Sequence, residues 1–165
     1  MAATAQHAHL PALGHHQRAE AGNELQATLV DLVDLSLLGK QLHWSVVGPL
    51  FKPVHEHLDE LVDSWRDLSD TVAERAVALG YEPDGQAATV AAASEIPAVE
   101  RGALPVDVVV RELTQRLADA SERIRGRMNR LGELDLASQD VLIEVARELE
   151  KQLWMLRVQE DGTTR

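Results

Sequence analysis

Apolar residues recur at steps of three and four along most of this 165-residue chain, which is the spacing that an amphipathic helix requires. The pattern predicts four long helices, over residues 18–46, 53–79, 106–131 and 138–158. Pro49 ends the first of them, Gly80 is a candidate C-cap of the second, and Ser138 is a candidate N-cap of the fourth. A long connection over residues 81–105, with a short helix near residues 89–93, separates the second helix from the third.

Four long helices with one long crossover are typical of a particular bundle topology. We expect an all-α, ferritin-like four-helix bundle with a short extra helix in the crossover between helices two and three. A plain up-down bundle with an unstructured loop is the alternative. The length and the apolar fraction of 45% fit one domain with a full core. We expect the bundle to cover residues 18–158, with a flexible N-terminal tail over 1–17 and a short C-terminal tail over 159–165.

The composition excludes several classes of function. Without cysteine the chain forms no disulfide and offers no thiolate for catalysis or for zinc. The first seventeen residues lack the basic-then-apolar order of a signal peptide, and no apolar run approaches the roughly 18 residues of a membrane span. We therefore expect a cytoplasmic protein with no membrane partner. A formal net charge of −11 repels phosphate backbones and attracts cations, which favours a metal over a nucleic acid.

The second helix carries the residues that suit a metal. At about 100° per residue, His55, Asp59, Asp70 and Glu74 lie on one stripe of this helix. The opposite stripe is the predicted core face and contains Leu58, Leu61, Val62, Trp65, Leu68, Val72, Ala76 and Leu79. Acids on a solvated face are the alternative interpretation. However, His55 with Asp59 and Asp70 with Glu74 are pairs spaced four residues apart, and each pair can present two donors to one cation. Histidine with carboxylates is the ligand set expected for iron(II), with zinc(II) or manganese(II) as alternatives.

The distance between the two pairs indicates how a site forms. Asp59 and Asp70 are eleven residues apart, about 16 Å along a helix axis, so one metal cannot contact both. A second copy of the helix, antiparallel across a two-fold axis near Ser64 and Trp65, would place the Asp70 pair of one chain opposite the His55 pair of the other. The sequence contains no Glu-x-x-His motif, which argues against a di-iron site within a single chain.

His43, at the end of the first helix, is a further candidate ligand. The turn through Gly48-Pro49 can bring it close to His55, although a structural role beside Trp44 is the alternative. His57 lies off the ligand stripe and is interpreted as incidental.

Several motifs now form a recognisable set. They are His43-Trp44, His55-Glu56 with Asp59, Asp70 with Ala73-Glu74-Arg75, Leu79-Gly80, Leu149-Glu150-Lys151 and Trp154-Met155-Leu156-Arg157. Together they resemble the Dps family of mini-ferritins over roughly residues 19–158. Ser45 stands where that family usually has asparagine, a difference that we do not expect to remove a metal ligand.

The resemblance implies a hollow dodecamer with ferroxidase centres at its two-fold interfaces. His43, His55 and Asp59 would come from one subunit, and Asp70 and Glu74 from its mate. Such proteins are oxidoreductases that oxidise Fe(II), typically with hydrogen peroxide in preference to oxygen, and store Fe(III) mineral, which protects against oxidative stress. A structural nucleoid protein that binds DNA with little ferroxidase turnover is the alternative, and a zinc-occupied cage without turnover is a third interpretation.

Other acidic and aromatic residues fit the same resemblance. Candidates for mineral nucleation on the cavity wall are Glu56, Glu60, Asp63 and Asp67, which otherwise form a solvent-facing strip. Candidates for a three-fold iron pore are Asp135, Asp140 and Glu144, which otherwise cap the fourth helix or pair with its dipole. Trp44 and Trp154 are candidates for intercepting radicals, or simply pack.

The charges of the tails and of the third helix indicate whether the chain binds DNA. Residues 1–17 contain no lysine or arginine and residues 159–165 are nearly neutral, so we expect weak DNA binding or none, which leaves nucleoid association open. The third helix carries a candidate basic patch in which acids are interspersed, at Arg116, Arg123, Arg125, Arg127 and Arg130. The N-terminal histidines are candidates for an accessory zinc, nickel or copper site in a mobile segment, or belong to a disordered tail: His7, His9, His15 and His16.

Overall fold

The computed structural model describes residues 10–163, with side chains described for residues 10–160. Its elements in chain order are α1 (His15–Ser45), β1 (Val46–Val47), α2 (Phe51–Ala78), α3 (Ala87–Ala93), β2 (Leu104–Pro105), α4 (Val106–Leu134) and α5 (Leu136–Thr163). Helix α1 packs along α2, and α4 packs along α5, while α3 lies in the crossover against α1. The predicted four-helix bundle with a short extra helix is confirmed.

All four long helices differ from their predicted bounds, and α4 continues three residues past its predicted end, to Leu134. Helix α1 begins at His15, within the segment predicted as the N-terminal tail, and α5 continues to Thr163, within the predicted C-terminal tail. Helix α2 begins at Phe51, so Pro53 lies in its first turn, where a missing N–H leaves no intrahelical hydrogen bond unmade. The end of α2 is as predicted, because Gly80 adopts a φ of 77° and its N–H donates to the Val77 carbonyl at 2.8 Å.

The predicted cap of α5 was wrong. A single residue, Asp135, joins α4 to α5, and its Oδ2 accepts a hydrogen bond from the Ser138 N–H at 3.1 Å. Asp135 is therefore the N-cap, while Ser138 is the third helical residue and donates its own hydroxyl to the same carboxylate.

The structure contains a short pairing of two strands that was not predicted from the sequence. Val46 and Val47 pair in parallel with Leu104 and Pro105. The pairing joins the residues after α1 to the residues before α4, so it closes the long crossover at the end of the bundle where α1 turns into α2. The turn itself contains two left-handed residues, Gly48 at φ 105° and Leu50 at φ 63°.

The core face of α2 is as predicted, since all eight predicted core residues are buried. On α1, Leu25, Leu29 and Leu32 are buried, but Leu37 is 57% exposed. The step from Leu32 to Leu37 is five residues, which rotates Leu37 off the apolar stripe. Leu35 takes the buried position instead. Within the part of the chain described, no helix is both long and apolar enough to cross a membrane.

Candidate metal centre

Two histidines meet where the end of α1 lies against the start of α2. The rings of His43 and His55 stack with their centroids 3.5 Å apart and their planes at 24°. The Nδ1 of His43 lies 3.0 Å from the carbonyl oxygen of His55, and the Nδ1 of His55 lies 3.0 Å from the carbonyl oxygen of His43. Because a carbonyl oxygen only accepts hydrogen bonds, both Nδ1 atoms carry the proton. In the neutral form this tautomer keeps the lone pair of each ring on Nε2, which is the form that binds a metal.

The carboxylate of Asp59 lies beside this pair. Its Oδ1 is 3.2 Å from the Nδ1 of His43 and 2.6 Å from the Nζ of Lys40. The hydrogen bond from Lys40 lowers the pKa of Asp59, the neighbouring positive charges add to this effect, and partial desolvation opposes it. Asp59 is therefore an anion, and its partner in this structure is the ammonium group of Lys40.

Two side chains at this site were missed by the sequence analysis. Lys40 lies three residues before His43, which places both on the same face of α1, so the spacing could have indicated it. The ring of Phe51 lies 5.0 Å from that of His55 and covers one side of it. The four-residue spacing from His55 could have indicated Phe51 as well, but the predicted second helix began at residue 53 and left Phe51 outside it.

The second predicted pair lies elsewhere. Asp70 and Glu74 are exposed one turn apart on α2, and the eleven-residue step from Asp59 separates them from the histidines by about 16 Å. Among residues 10–163 of one chain, no group of three or more histidine, cysteine, aspartate or glutamate side chains is arranged to hold a metal ion. A single chain therefore places His43, His55 and Asp59 close together without arranging them to hold a metal by themselves, and it does not bring Asp70 or Glu74 to them.

The candidate nucleation residues of α2 are all exposed, namely Glu56, Glu60, Asp63 and Asp67. Glu56 contacts Lys52, and Asp63 lies 3.6 Å from Arg66. Asp67 lines a cavity of about 630 Å³ between α2 and α5.

The candidate pore residues divide into two groups. Asp140 and Glu144 line the same cavity as Asp67. Asp135 does not, because its carboxylate caps α5 and lies 2.6 Å from Arg75 of α2. Burial raises the pKa of Asp135, but the hydrogen bonds from Ser138 and Arg75 outweigh burial and leave the pKa below its ordinary value. The capping alternative therefore accounts for the contacts of Asp135.

The candidate basic patch on α4 is neutralised by acids. Arg116 pairs with Glu112, Arg123 and Arg127 with Asp31, Arg125 with Glu150, and Arg130 with Glu24. Asp31 is only 2% exposed and accepts from two arginines, so this part of the patch is a structural ion-pair cluster between α1 and α4.

The remaining candidates are placed as follows. His15 and His16 are the first two residues of α1 rather than part of a mobile segment, and the Nδ1 of His16 lies 3.1 Å from Glu20. His7 and His9 lie outside the described residues. Trp44 is 70% exposed and Trp154 is 57% exposed.

This fold has clear relatives. A family model of the ferritin-like domain matches residues 22–163. The tetragonal crystal form of Dps from Mycobacterium smegmatis superposes with a TM-score of 0.87 at 34% identity, over 91% of each chain. The chain belongs to the Dps family of ferritin-like proteins. The resemblance noted in the sequence and the ferritin-like fold are thereby confirmed.

Two further Dps relatives extend the comparison. The structure of Dps from Microbacterium arborescens in its high iron form matches with a TM-score of 0.85 at 33% identity, over 92% of this chain and 98% of that one. The DNA protection during starvation protein 2 of Deinococcus radiodurans is 34% identical over 148 residues, which are 90% of this chain and 61% of the relative. This chain therefore spans less than two thirds of the length of that relative.

Proposed function

We propose that this Dps-family chain stores iron and protects against oxidative damage by oxidising Fe(II) at centres shared between subunits of a dodecameric cage. Hydrogen peroxide or oxygen is the oxidant, and the Fe(III) product is kept as mineral inside the cage. The family membership supports an iron-storage and protection role, and a relative crystallised in a high iron form supports iron as the cargo.

The observation that carries the proposal is the reciprocal pair of hydrogen bonds between His43 and His55. A structural histidine can make one such bond, but here two adjacent histidines make reciprocal bonds that orient both rings in the same way. Here both rings are fixed with Nε2 free, and the anionic Asp59 lies beside them. Two neutral imidazoles and a carboxylate suit Fe(II), and also zinc or manganese.

The rest of the centre comes from a second chain in this proposal. Three donors from one chain leave an iron ion short of ligands, and Asp70 and Glu74 of the same chain are too far away to contribute. An antiparallel copy of α2 across a two-fold axis brings its own Asp70 and Glu74 to His55 and Asp59, and the same operation completes the second centre.

The proposed reaction balances with peroxide as the acceptor. Two Fe(II) ions each lose one electron, the O–O bond of one peroxide molecule breaks and receives both electrons, and two protons convert the products to two water molecules. Because the two electrons are transferred together, no hydroxyl radical is released. The roles of the chain are to bind iron through nitrogen and carboxylate donors and to hold the carboxylates as anions at neutral pH.

The acidic groove between α2 and α5 extends the proposal to the path of iron. Asp140 and Glu144 of α5 would attract the cation to a pore, and Glu56, Glu60, Asp63 and Asp67 of α2 would bind Fe(III) on the cavity wall. Asp67 lines one cavity together with both pore candidates and Glu148, and these four acids outnumber the two bases of the lining, Arg147 and Lys151, which supports a route for cations.

A DNA-binding role receives little support. The five arginines of the candidate basic patch on α4 are each paired with an acid, and the net charge of −11 repels a phosphate backbone. We expect no DNA retardation in a gel-shift assay at physiological salt. Retarded DNA would instead favour the nucleoid alternative.

The test is stopped-flow oxidation of Fe(II), with peroxide and with oxygen in separate runs, on the assembly isolated by size. The double variant His55→Ala/Asp59→Ala should lose rapid oxidation while it keeps its assembly state. The matched control is His57→Ala, which removes a histidine of the same helix that lies off the ligand stripe and should leave the rate unchanged. Unchanged kinetics in the double variant would reject the centre, and metal analysis separates this result from a cage filled with zinc.

A further inference from the structure

Gly39 of α1 lies where α1 and α2 approach each other closely beside the candidate metal centre. A Cβ atom at this position would lie 2.6 Å from the Cγ2 of Val62 and 2.8 Å from the Cζ3 of Trp65. Both distances are shorter than any that real Cβ atoms show. Gly39 is not one of the glycines with positive φ, so space rather than backbone conformation requires the glycine here.

The groups opposite Gly39 have little freedom to move away. Trp65 is fully buried, and its Nε1 donates to the Oε1 of Gln152 on α5 at 2.8 Å. The amide of Gln152 donates in turn to the hydroxyl of Ser64 at 3.0 Å. Val62 is 1% exposed. Since the indole ring is held from the far side by α5, a side chain at Gly39 would move α1 away from α2 instead of displacing the ring.

The metal centre is built across this same contact. Lys40 follows Gly39 directly, and His43 lies one helical turn further along α1. On α2, Val62 lies three residues after Asp59 and therefore on the same side of the helix. The contact of Lys40 with Asp59 and the two hydrogen bonds between the histidines all span the gap between the two helices.

We infer that Gly39 is a positioning residue of the metal centre, and that its contact with Val62 and Trp65 sets the separation of α1 and α2 at which the histidines and Asp59 bind a metal. This inference rests on the proposed function. A wider separation breaks the hydrogen bonds that orient both imidazoles, and losing such orienting partners typically weakens metal binding by about 10- to 100-fold.

The structure offers a matched control on the same helix. A Cβ atom at Gly22 would lie 2.1 Å from the Cδ2 of Tyr81, a steric conflict at least as severe as that at Gly39. Gly22 is twenty-one residues before His43, about 31 Å along the helix axis. Both variants therefore disturb the packing of α1, Gly22→Ala far from the metal centre and Gly39→Ala close to it.

The experiment measures Zn²⁺ binding to the assembled protein by isothermal titration calorimetry, together with thermal stability and Fe(II) oxidation. Gly39→Ala should weaken Zn²⁺ binding by about tenfold. Gly22→Ala should lower stability and leave the affinity unchanged. Equal affinities in the two variants would overturn the inference, because a merely structural glycine would behave the same at both positions.

A compensated variant gives a readout that general destabilisation cannot imitate. In Gly39→Ala/Val62→Ala/Trp65→Phe, the two side-chain atoms that the new methyl group would meet are removed. This variant should recover the Zn²⁺ affinity of the wild type even though its core is less well packed and less stable. Failure of the triple variant to bind would overturn the inference, and this outcome is decisive even if Gly39→Ala alone does not fold.

Failure of the proposed function and failure of the Gly39 inference give different results. If the wild-type protein neither binds Zn²⁺ at this site nor oxidises Fe(II), the proposed function is wrong. If the wild type does both and Gly39→Ala matches it, the function stands and only the positioning role of Gly39 is wrong.

Discussion

At the scale of single residues, the most informative contact is the one between Lys40 and Asp59. An ammonium group 2.6 Å from a proposed metal ligand competes with the metal for the same oxygen and repels its double positive charge. It also lowers the pKa of Asp59, which keeps the ligand ionised in acid. Lys40 therefore has two opposing effects on metal binding, and the pH decides which of them is larger.

We predict that Lys40→Met strengthens Zn²⁺ binding at pH 7 by roughly threefold or more, because the competing charge is removed. The gain should shrink only as the pH falls to about 4, the ordinary carboxyl pKa, since the pKa of Asp59 rises when its Lys40 partner is lost and protons then compete with the metal. Calorimetric titration at both pH values measures this. Lys52→Met, which removes the partner of Glu56 instead, is the control and should leave binding unchanged. Weaker binding in Lys40→Met would show that Lys40 supports the centre.

The residues themselves illustrate what the sequence can and cannot predict. His55 and Asp59 were predictable because both lie on one helix, where the spacing of four residues fixes their relation. The tautomers of the histidines were not predictable, because they depend on carbonyl groups that only the crossing of α1 and α2 brings to the rings. Leu37 shows how an apolar residue can lie off the buried stripe, because the five-residue step from Leu32 rotates its side chain towards solvent.

At the scale of the elements, α2 and α5 are joined through the cap of α5. Asp135 accepts hydrogen bonds from Ser138 and from Arg75, and its side chain is 10% exposed. The carboxylate of Asp135 thus caps the start of α5 directly after the end of α4, and it also binds Arg75 in the C-terminal part of α2. The sequence predicted the end of α4 and the start of α5 only to within a few residues, since Ser138 and Asp135 are both good caps. Arg75 contacts both of them, and the hydrogen bond from the Ser138 N–H to the Asp135 carboxylate identifies Asp135 as the cap.

We predict that Asp135→Asn lowers the free energy of unfolding by about 2 kcal/mol at pH 7, because asparagine keeps the cap but loses the charged hydrogen bond with Arg75. The pKa of Asp135 is lowered in the folded protein, so its contribution is complete above the ordinary carboxyl pKa of about 4 and is lost as the pH falls through the lower folded value. The difference between wild type and variant should therefore shrink below about pH 4.

Urea unfolding at a fixed protein concentration, followed by circular dichroism from pH 7 to pH 3, measures this difference. Asp140→Asn is the control, since it removes an exposed carboxylate from the same helix and should change stability by less than about 0.5 kcal/mol. A difference between wild type and Asp135→Asn that stays constant with pH would mean that the charge of Asp135 is not what stabilises the junction.

At the scale of the whole molecule, the proposed centres belong to a pair of chains. The spacing along α2 allowed this sharing to be predicted from sequence, because two donor pairs about 16 Å apart on one helix cannot serve one ion. What the spacing could not predict is the geometry across the two-fold axis, since it depends on the exposed surfaces of α1 and α2 that a second chain would cover.

Sharing predicts that two inactive variants restore activity to each other. The variant His55→Ala/Asp59→Ala lacks the first donor pair in every chain, and the variant Asp70→Ala/Glu74→Ala lacks the second. An assembly of either variant alone therefore contains no complete centre. A mixed pair of chains has one centre with both lesions and one centre that is intact. Random mixing of equal amounts makes half of the pairs mixed, so about a quarter of the wild-type centres should return.

The measurement is the fast phase of Fe(II) oxidation after the two variants are dissociated, mixed and reassembled, with each variant reassembled alone as the control. Recovery of the fast phase to about a quarter of its wild-type amplitude is expected, because only mixed pairs regain a complete donor set. A centre built within one chain gives a different result, since no combination of two damaged chains then contains an intact centre. Mixed assemblies that form in the expected proportions but stay inactive would therefore exclude a shared centre.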